Sequence, residues 1–500
     1  MGTATLLERL AAWCARTPGA EAAREGADRW SVQALLDCAT RVATGLVAAG
    51  VQPGDRVAWW GPPSLEFAAV LLGSWRVDAT YLGINPRYTP REVGEIVERA
   101  RPRLVLCPAL APQDDMLPAT YGLAPDQLRT FGELVAGTDA AASLPAPTAT
   151  FPALLVFTTG STGRPKGALI SHRAVAAASA SQARATHHGS RFTVNALPSN
   201  HIGGLVNVTT ASWWDEQSII FVPSFTPAAI IDLLHDVSHV RLPAVPLLLR
   251  RCLDAPGFAE AARERLVHVL SGGAPLPRAV LDEFDALGVY VQGMYGQTEM
   301  SGSACFTHPA DDPSTTAATI GRPHADVELR LGPVSGAPGH GDEGELQVRG
   351  AQVFDGYLHD PDATRAAFTS DGWLRSGDLA VRRPDGTIQL SGRLKEIINT
   401  RGYKVMPGEV EEVLATHAQV SAAAVVGTAE PEHGEAIVAF VTLRADQAPT
   451  AGDLVAWCRE RLAHYKVPRR IVVLDAMPML GVGKVDKRLL TARAAGGSND

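Results

Sequence analysis

Between residues 31 and 108 short apolar runs alternate with longer amphipathic stretches. "RVAWW" (56–60) and "RLVLC" (103–107) have the length and unbroken hydrophobicity of buried strands. "SVQALLDCATRVATGLVAAG" (31–50) and "SLEFAAVLLGSWRV" (64–77) have the length of helices. That order predicts parallel strands joined by crossover helices. Residues 108–150 are rich in Pro, Ala and Asp with weak periodicity and read as a connection before the strand "ALLVFTT". Alternation resumes through "QSIIFVP", "LVHVLSGGAPLP" and "GVYVQGMYGQTE".

From about residue 319 the texture changes to short runs separated by turns, "VELRL", "GELQVRG" and "LAVRRPDGTIQLSG". The "PDG" at 384–386, flanked by alternating residues, predicts a hairpin. The last hundred or so residues read as helix "PGEVEEVLATH", strands "VSAAAVVG" and "AIVAFVTL", helix "AGDLVAWCRERLAHY" and strand "RIVVLD". The expected fold class is α/β: a large N-terminal domain of α/β subdomains plus a small β-rich unit, then a small α+β C-terminal domain.

Composition narrows the function without naming it. The 500 residues are 46% hydrophobic and carry a formal net charge of -8, which opposes attraction to nucleic acid or an anionic membrane surface. Six widely spaced cysteines contain no C-x-x-C, so neither a zinc site nor a disulfide framework is expected, and a reducing cytoplasm fits. The start lacks a signal-peptide pattern. The longest apolar runs fall short of the ~20 residues a membrane span needs.

The stretch "FTTGSTGRPKGA" (157–168) offers glycines, hydroxyls and a lysine directly after a strand. Such a loop can aim several N–H groups at one anion, or it can be a solvated turn. It is not a Walker A loop, because the chain's Gly483-Lys484 is followed by Val485. The loop stands first in an ordered series: "TTGSTGRPKG", "LPSNHIGG" (197–204), "SGGAPLP" (271–277), "MYGQTE" (294–299), "GELQVRG" (344–350), "DGWLRSGDLA" (371–380), "GRLKEIINTRGYKVMPGEVE" (392–411) and "GVGKVDK" (481–487). Over nearly its full length the chain resembles the adenylate-forming superfamily, in its acyl-CoA synthetase type with fatty-acid or aryl-CoA ligases.

The resemblance implies ATP, Mg²⁺ and coenzyme A as cofactors and an acyl-adenylate made before the thioester. It assigns Thr158, Thr159, Gly160, Ser161, Thr162, Gly163 and Lys166 to the ATP phosphates. Gly273, Ala274, Pro275, Gly293, Met294, Tyr295, Gly296, Gln297, Asp378 and Arg393 go to adenine and ribose. Thr298, Glu299, His201 and Lys484 become catalytic, with Glu299 and Thr159 toward the metal. It divides the chain into an AMP-binding domain (1–391), a hinge (392–396) at Lys395, a mobile lid domain (397–493) and a disordered tail (494–500). Arg401, Gly402 and Tyr403 would form the thioester loop. Met479 and Leu480 depart from the polar residues that usually precede the Gly-Lys.

His201, Gly203, Gly204, Gly272 and Met300 are expected to line the acyl pocket. Amino-acid-activating relatives carry an Asp near His201, and none stands between Leu197 and Val208. A hydrophobic monocarboxylic acid is therefore expected, with an aryl or bulky cyclic group as acceptable as an alkyl chain. The expected partners are this acid, ATP and CoA, without nucleic acid or a membrane span. Transfer of the acyl-AMP to a carrier protein or partner enzyme is the alternative to CoA, and a homodimer is left open.

Overall fold

A computed structural model shows the chain as two compact units, Met1–Leu329 with Val348–Leu374 and Arg330–Gln347 with Arg375–Asp500. It describes residues 4–108, 121–124, 126–140, 144, 147–158, 165–186, 188–333, 343–400, 403–430, 434–444, 449–479 and 485–496.

The first unit is α/β, as the alternation predicts. In one sheet Tyr290–Gln297, Leu266–Gly272, Val240–Pro243, Phe192–Asn195 and Ser218–Phe221 run side by side and parallel. In another, Pro152–Thr158, Thr80–Ile84, Arg56–Trp60, Leu104–Cys107 and Leu128–Thr130 are parallel neighbours. Lys166–Ser171 extends this second sheet antiparallel to Pro152–Thr158, and the two-residue strand Gly356–Tyr357 closes its edge.

The helix Leu65–Arg76 starts where Ser64 accepts the Phe67 N–H at 3.0 Å. It is buried almost all round because it packs between the sheets: the Phe67 ring meets Tyr81 at 5.8 Å and Phe221 at 5.9 Å, edge to face. Burying that ring contributes roughly 2–3 kcal/mol. Three fully buried indoles keep their N–H groups bonded to backbone carbonyls, Trp59 to Pro62 (3.0 Å), Trp75 to Ala153 (2.8 Å) and Trp213 to Ala22 (3.0 Å).

The stretch expected to be a connection contains the strand Leu128–Thr130 and the helix Phe131–Val135, opened by a Thr130–Glu133 capping box. Elements of three and five residues are too short to show a period.

In the second unit the expected hairpin forms, Leu374–Arg382 against Ile388–Arg393, with the Arg383 N–H on the Thr387 carbonyl at 2.9 Å. Beyond it, Val420–Glu430 and Gly434–Leu443 pair antiparallel, and Arg470–Val473 joins the latter in parallel. The helices Pro407–Ala415 and Ala451–Arg461 bury Val410, Leu414, Leu454 and Cys458 against Val425 and Ala439. This is the predicted α+β unit. The tail expected from residue 494 begins inside the helix Lys487–Ala495, because Leu490 and Ala494 pack with Val426, Val438 and Phe440. The compact units divide between Leu374 and Arg375, and Lys395 belongs to the second unit.

Candidate active site

The "SGGAP" and "MYGQTE" stretches leave the carboxyl ends of two adjacent parallel strands, Leu266–Gly272 and Tyr290–Gln297, paired at Gly272 and Met294. Ligands of open α/β sheets bind at such ends. Gly273 has φ +81°, and Gly273, Ala274 and Pro275 are exposed, which leaves their backbone accessible to a flat base. A Cβ at Gly272 would stand 2.6 Å from Met294, so the two strands can lie this close only with glycine there. Gly293 donates its N–H to Thr307 at 2.8 Å. Tyr295 is buried and its hydroxyl lies 3.5 Å from the Gln297 amide nitrogen.

The chain then turns sharply. Thr298–Met300 is a single 3₁₀ turn, followed by Ser301 at φ +53° and Gly302 at φ +111°. The chain returns antiparallel, Gly302 opposite Gln297 and Ser303 opposite Gly296, and the Ser303 N–H reaches Asn207 Oδ1 at 3.1 Å. The turn presents Glu299 on a rigid, mostly buried support.

Glu299 does not stand alone. Its Oε1 accepts the Tyr357 hydroxyl at 2.7 Å, and its carbonyl accepts the Phe354 N–H at 3.0 Å. The Lys166 ammonium lies 5.0 Å from the centre of the Tyr357 ring. Burial, reinforced by Glu299, pushes the Tyr357 phenol far above its ordinary range, so it remains a donor. Tyr357 is absent from the residues singled out by sequence reading. Its "FDGYL" carries no phosphate or metal chemistry in one dimension, and only the pairing of Tyr357 with Ala168 brings it beside Lys166.

Lys166 opens the Lys166–Ser171 strand and is paired with Thr158, whose hydroxyl lies 3.4 Å from the Lys166 carbonyl. Thr159, Gly160, Ser161, Thr162 and Gly163 lie outside the described residues. So do Arg401, Gly402 and Lys484.

On the acyl side, His201 Nδ1 accepts the Gly203 N–H at 3.1 Å. Gly203–Thr210 forms an entirely buried π-helical segment. Gly204 packs with no room for a side chain, its would-be Cβ 2.8 Å from the Pro198 carbonyl oxygen. Met300 is fully buried.

In the second unit Asp378 and Arg393 sit opposite each other on the hairpin, with Nε to Oδ1 at 3.1 Å. Asp378 is 2% exposed, and Ser376 Oγ accepts its N–H at 3.0 Å. Arg393 is therefore already engaged with the carboxylate expected to hold ribose. Lys395 lies in the short turn Leu394–Glu396. Tyr403 is exposed and stacks on Tyr465 at 4.3 Å.

The profile described as AMP-binding enzyme matches residues 10–358, and that of the AMP-binding enzyme C-terminal domain matches residues 409–484. The chain belongs to the AMP-binding enzymes. It is 32% identical over 481 residues to the (7a-methyl-1,5-dioxo-octahydro-1H-inden-4-yl)propanoyl:CoA ligase of Mycobacterium tuberculosis, covering 92% of this chain and 93% of that protein. It is 32% identical over 494 residues to a feruloyl-CoA synthase of an Amycolatopsis species, covering 94% and 95%. ATP-bound MatB from Rhodopseudomonas palustris has the same fold, with a TM-score of 0.87 at 28% identity over 95% of this chain and 96% of that one. These relatives place the chain with the AMP-forming acyl-CoA ligases, ATP-dependent enzymes that use CoA and Mg²⁺.

The residues fit a magnesium ion brought with ATP. Mg²⁺ is usually held by one or two carboxylates plus substrate phosphates and waters, and Glu299, whose Oε1 accepts the Tyr357 hydroxyl, would offer its other carboxylate oxygen. Among the described residues there is no group of three or more His, Cys, Asp or Glu side chains that could cage a metal alone. No helix among them is long and apolar enough to cross a membrane.

Proposed function

We propose that this AMP-binding enzyme converts a hydrophobic monocarboxylic acid, carrying an aryl or bulky cyclic group or a medium alkyl chain, into its CoA thioester by way of an acyl-adenylate. The substrate reading rests on the Gly203–Thr210 segment, eight buried residues without a charge, which follows directly on His201 and Ile202 in the chain. An amino acid would need a carboxylate for its ammonium group, and residues 197–208 contain none. The bicyclic propanoyl and feruloyl groups named for two relatives support a ring-bearing acid.

In the first half-reaction a carboxylate oxygen attacks the α-phosphorus, and the bond to pyrophosphate breaks. Lys166, with the loop that precedes it, would neutralise the departing β- and γ-phosphates. Lys484 would lie between the two anionic reactants and Thr298 beside the α-phosphate. Tyr295 and the backbone of Gly273–Pro275 would sandwich adenine, and Asp378 would accept ribose hydroxyls. Magnesium held by Glu299 would supply positive charge at the phosphate oxygens, with Thr159 as a further oxygen donor.

In the second half-reaction the CoA sulfur attacks the acyl carbon, the bond to AMP breaks, and the thiol proton passes to solvent. A hinge at residues 392–396 would exchange Lys484 for the Arg401–Tyr403 loop at the reacting centre. A cytoplasmic site of action is supported by six cysteines that are all free thiols.

The test is acid-dependent ATP–pyrophosphate exchange across aryl, cyclic, alkyl and amino acids, followed by CoA addition. Exchange strongest with ring-bearing acids, and acyl-CoA formed on adding CoA, is the expected result. Exchange confined to amino acids would overturn the substrate reading. Acyl-AMP that persists with CoA present would replace CoA by a carrier protein as acceptor.

A further inference from the structure

The segment Phe354–Leu358 is stitched at both ends to the phosphate-handling elements. On one side the Phe354 N–H bonds the Glu299 carbonyl at 3.0 Å. On the other, the Asp355 N–H bonds the Leu169 carbonyl at 2.9 Å and the Leu358 N–H the Gly167 carbonyl at 2.8 Å, one residue from Lys166. Between them Gly356 takes φ +139°, where a Cβ would stand 2.7 Å from Thr364 Cγ2, so the bend is specific to glycine. The bend places the Tyr357 N–H on Thr364 Oγ1 at 2.9 Å and packs its ring edge to face on Phe354 at 4.9 Å. Backbone, ring and hydroxyl of Tyr357 are thus all fixed.

What this fixed side chain touches is informative. Its hydroxyl meets Glu299 Oε1 at 2.7 Å, and its ring face lies 5.0 Å from the Lys166 ammonium. One tyrosine therefore contacts both the carboxylate proposed for the metal and the cation proposed for the leaving phosphates. A carboxylate on a one-turn helix has rotational freedom that a metal ligand must lose on binding. A donor on one oxygen removes that freedom beforehand and leaves the other oxygen as the ligand.

We propose that Tyr357 is a positioning residue for adenylation: its hydroxyl pre-orients Glu299 for the ATP-bound magnesium, and its ring holds the Lys166 ammonium in line for pyrophosphate. The proposal rests on the reading of Glu299 as a metal ligand. The two functions separate by chemistry. Tyr357→Phe keeps the ring beneath Lys166 and removes the hydroxyl, whereas Tyr357→Leu removes both.

The experiment measures Mn²⁺ affinity of the ATP-loaded protein by electron paramagnetic resonance, together with the Mg²⁺ dependence, kcat and KM for ATP in pyrophosphate exchange. Tyr357→Phe is expected to weaken Mn²⁺ binding by about 10-fold, within the range for loss of a ligand's supporting hydrogen bond, with most of kcat recovered at high Mg²⁺. Tyr357→Leu should show that loss and a raised KM for ATP. Thr364→Val, which loosens the backbone anchor and leaves the hydroxyl in place, should give a smaller metal defect and keeps the test available if Tyr357→Leu does not fold. Glu299→Gln is the reference. If it leaves Mn²⁺ affinity unchanged, the metal reading of Glu299 fails. If it weakens binding and Tyr357→Phe does not, Tyr357 has no positioning role.

Discussion

A Cβ placed on Gly296 would stand 1.7 Å from the carbonyl oxygen of Gly302. The two glycines close the turn that carries Glu299, and a side chain at Gly296 would have to displace backbone atoms. Gly302 is itself wedged against Asn207, whose Oδ1 would lie 2.0 Å from a Cβ there, in a left-handed conformation at φ +111°. The turn that carries the candidate metal ligand is thus packed against backbone at Gly296 and against the Asn207 side chain at Gly302.

Gly296→Ala should therefore displace the turn, with a stability loss of several kcal/mol typical of forced overpacking at a strained site. Urea unfolding and pyrophosphate exchange measured together check this. Retained stability with normal exchange would show that the turn has room the packing denies.

Asp378→Asn should raise KM for ATP by about 10- to 100-fold, the loss of charge-assisted hydrogen bonds to ribose. Urea unfolding is measured alongside, because Asp378 is itself buried and pairs with Arg393, and a loss of stability alone would not raise KM for ATP. An unchanged KM for ATP would remove Asp378 from the ribose site.

Lys484→Ala should abolish adenylation while thioester formation from supplied acyl-AMP persists. Comparison of pyrophosphate exchange with CoA-dependent consumption of acyl-AMP separates the two. Equal loss in both would refute the alternation of the small domain between half-reactions.

Acid should unfold the first unit partly through His172. Burial lowers its pKa from 6.5 to about 4, with Asp78 opposing the shift, and the ring sits 5.2 Å from Trp75 at the start of a helix. The native state holds this imidazole neutral, so its contribution to stability is intact above 6.5 and is lost as pH falls toward about 4. The full loss amounts to about 3 kcal/mol. Urea unfolding of the wild type and His172→Leu at neutral and acidic pH tests this. The variant should lose less stability on acidification, and identical losses would exclude His172.

Much of this architecture is written locally. The helix at 65–76 announces itself through Ser64 and an apolar run, and the hairpin through "PDG". What escaped was short or non-periodic: Leu128–Thr130, Phe131–Val135 and the helical start of the expected tail at Ala494, each held by packing rather than propensity. The motifs that name the reaction are also local, because glycine loops and single carboxylates keep their chemistry wherever the chain carries them.

The sequence by itself determined the α/β class, the order of the site stretches and the family they belong to. Only the tertiary structure decided which groups meet. Tyr357 reaches Glu299 across 58 residues, and Asn207 receives Ser303 across 96. Arg393 turns toward Asp378 because a hairpin register sets them opposite each other. Such contacts depend on strand pairing and close backbone approach between distant segments, and no local pattern of hydrophobic and polar residues encodes them.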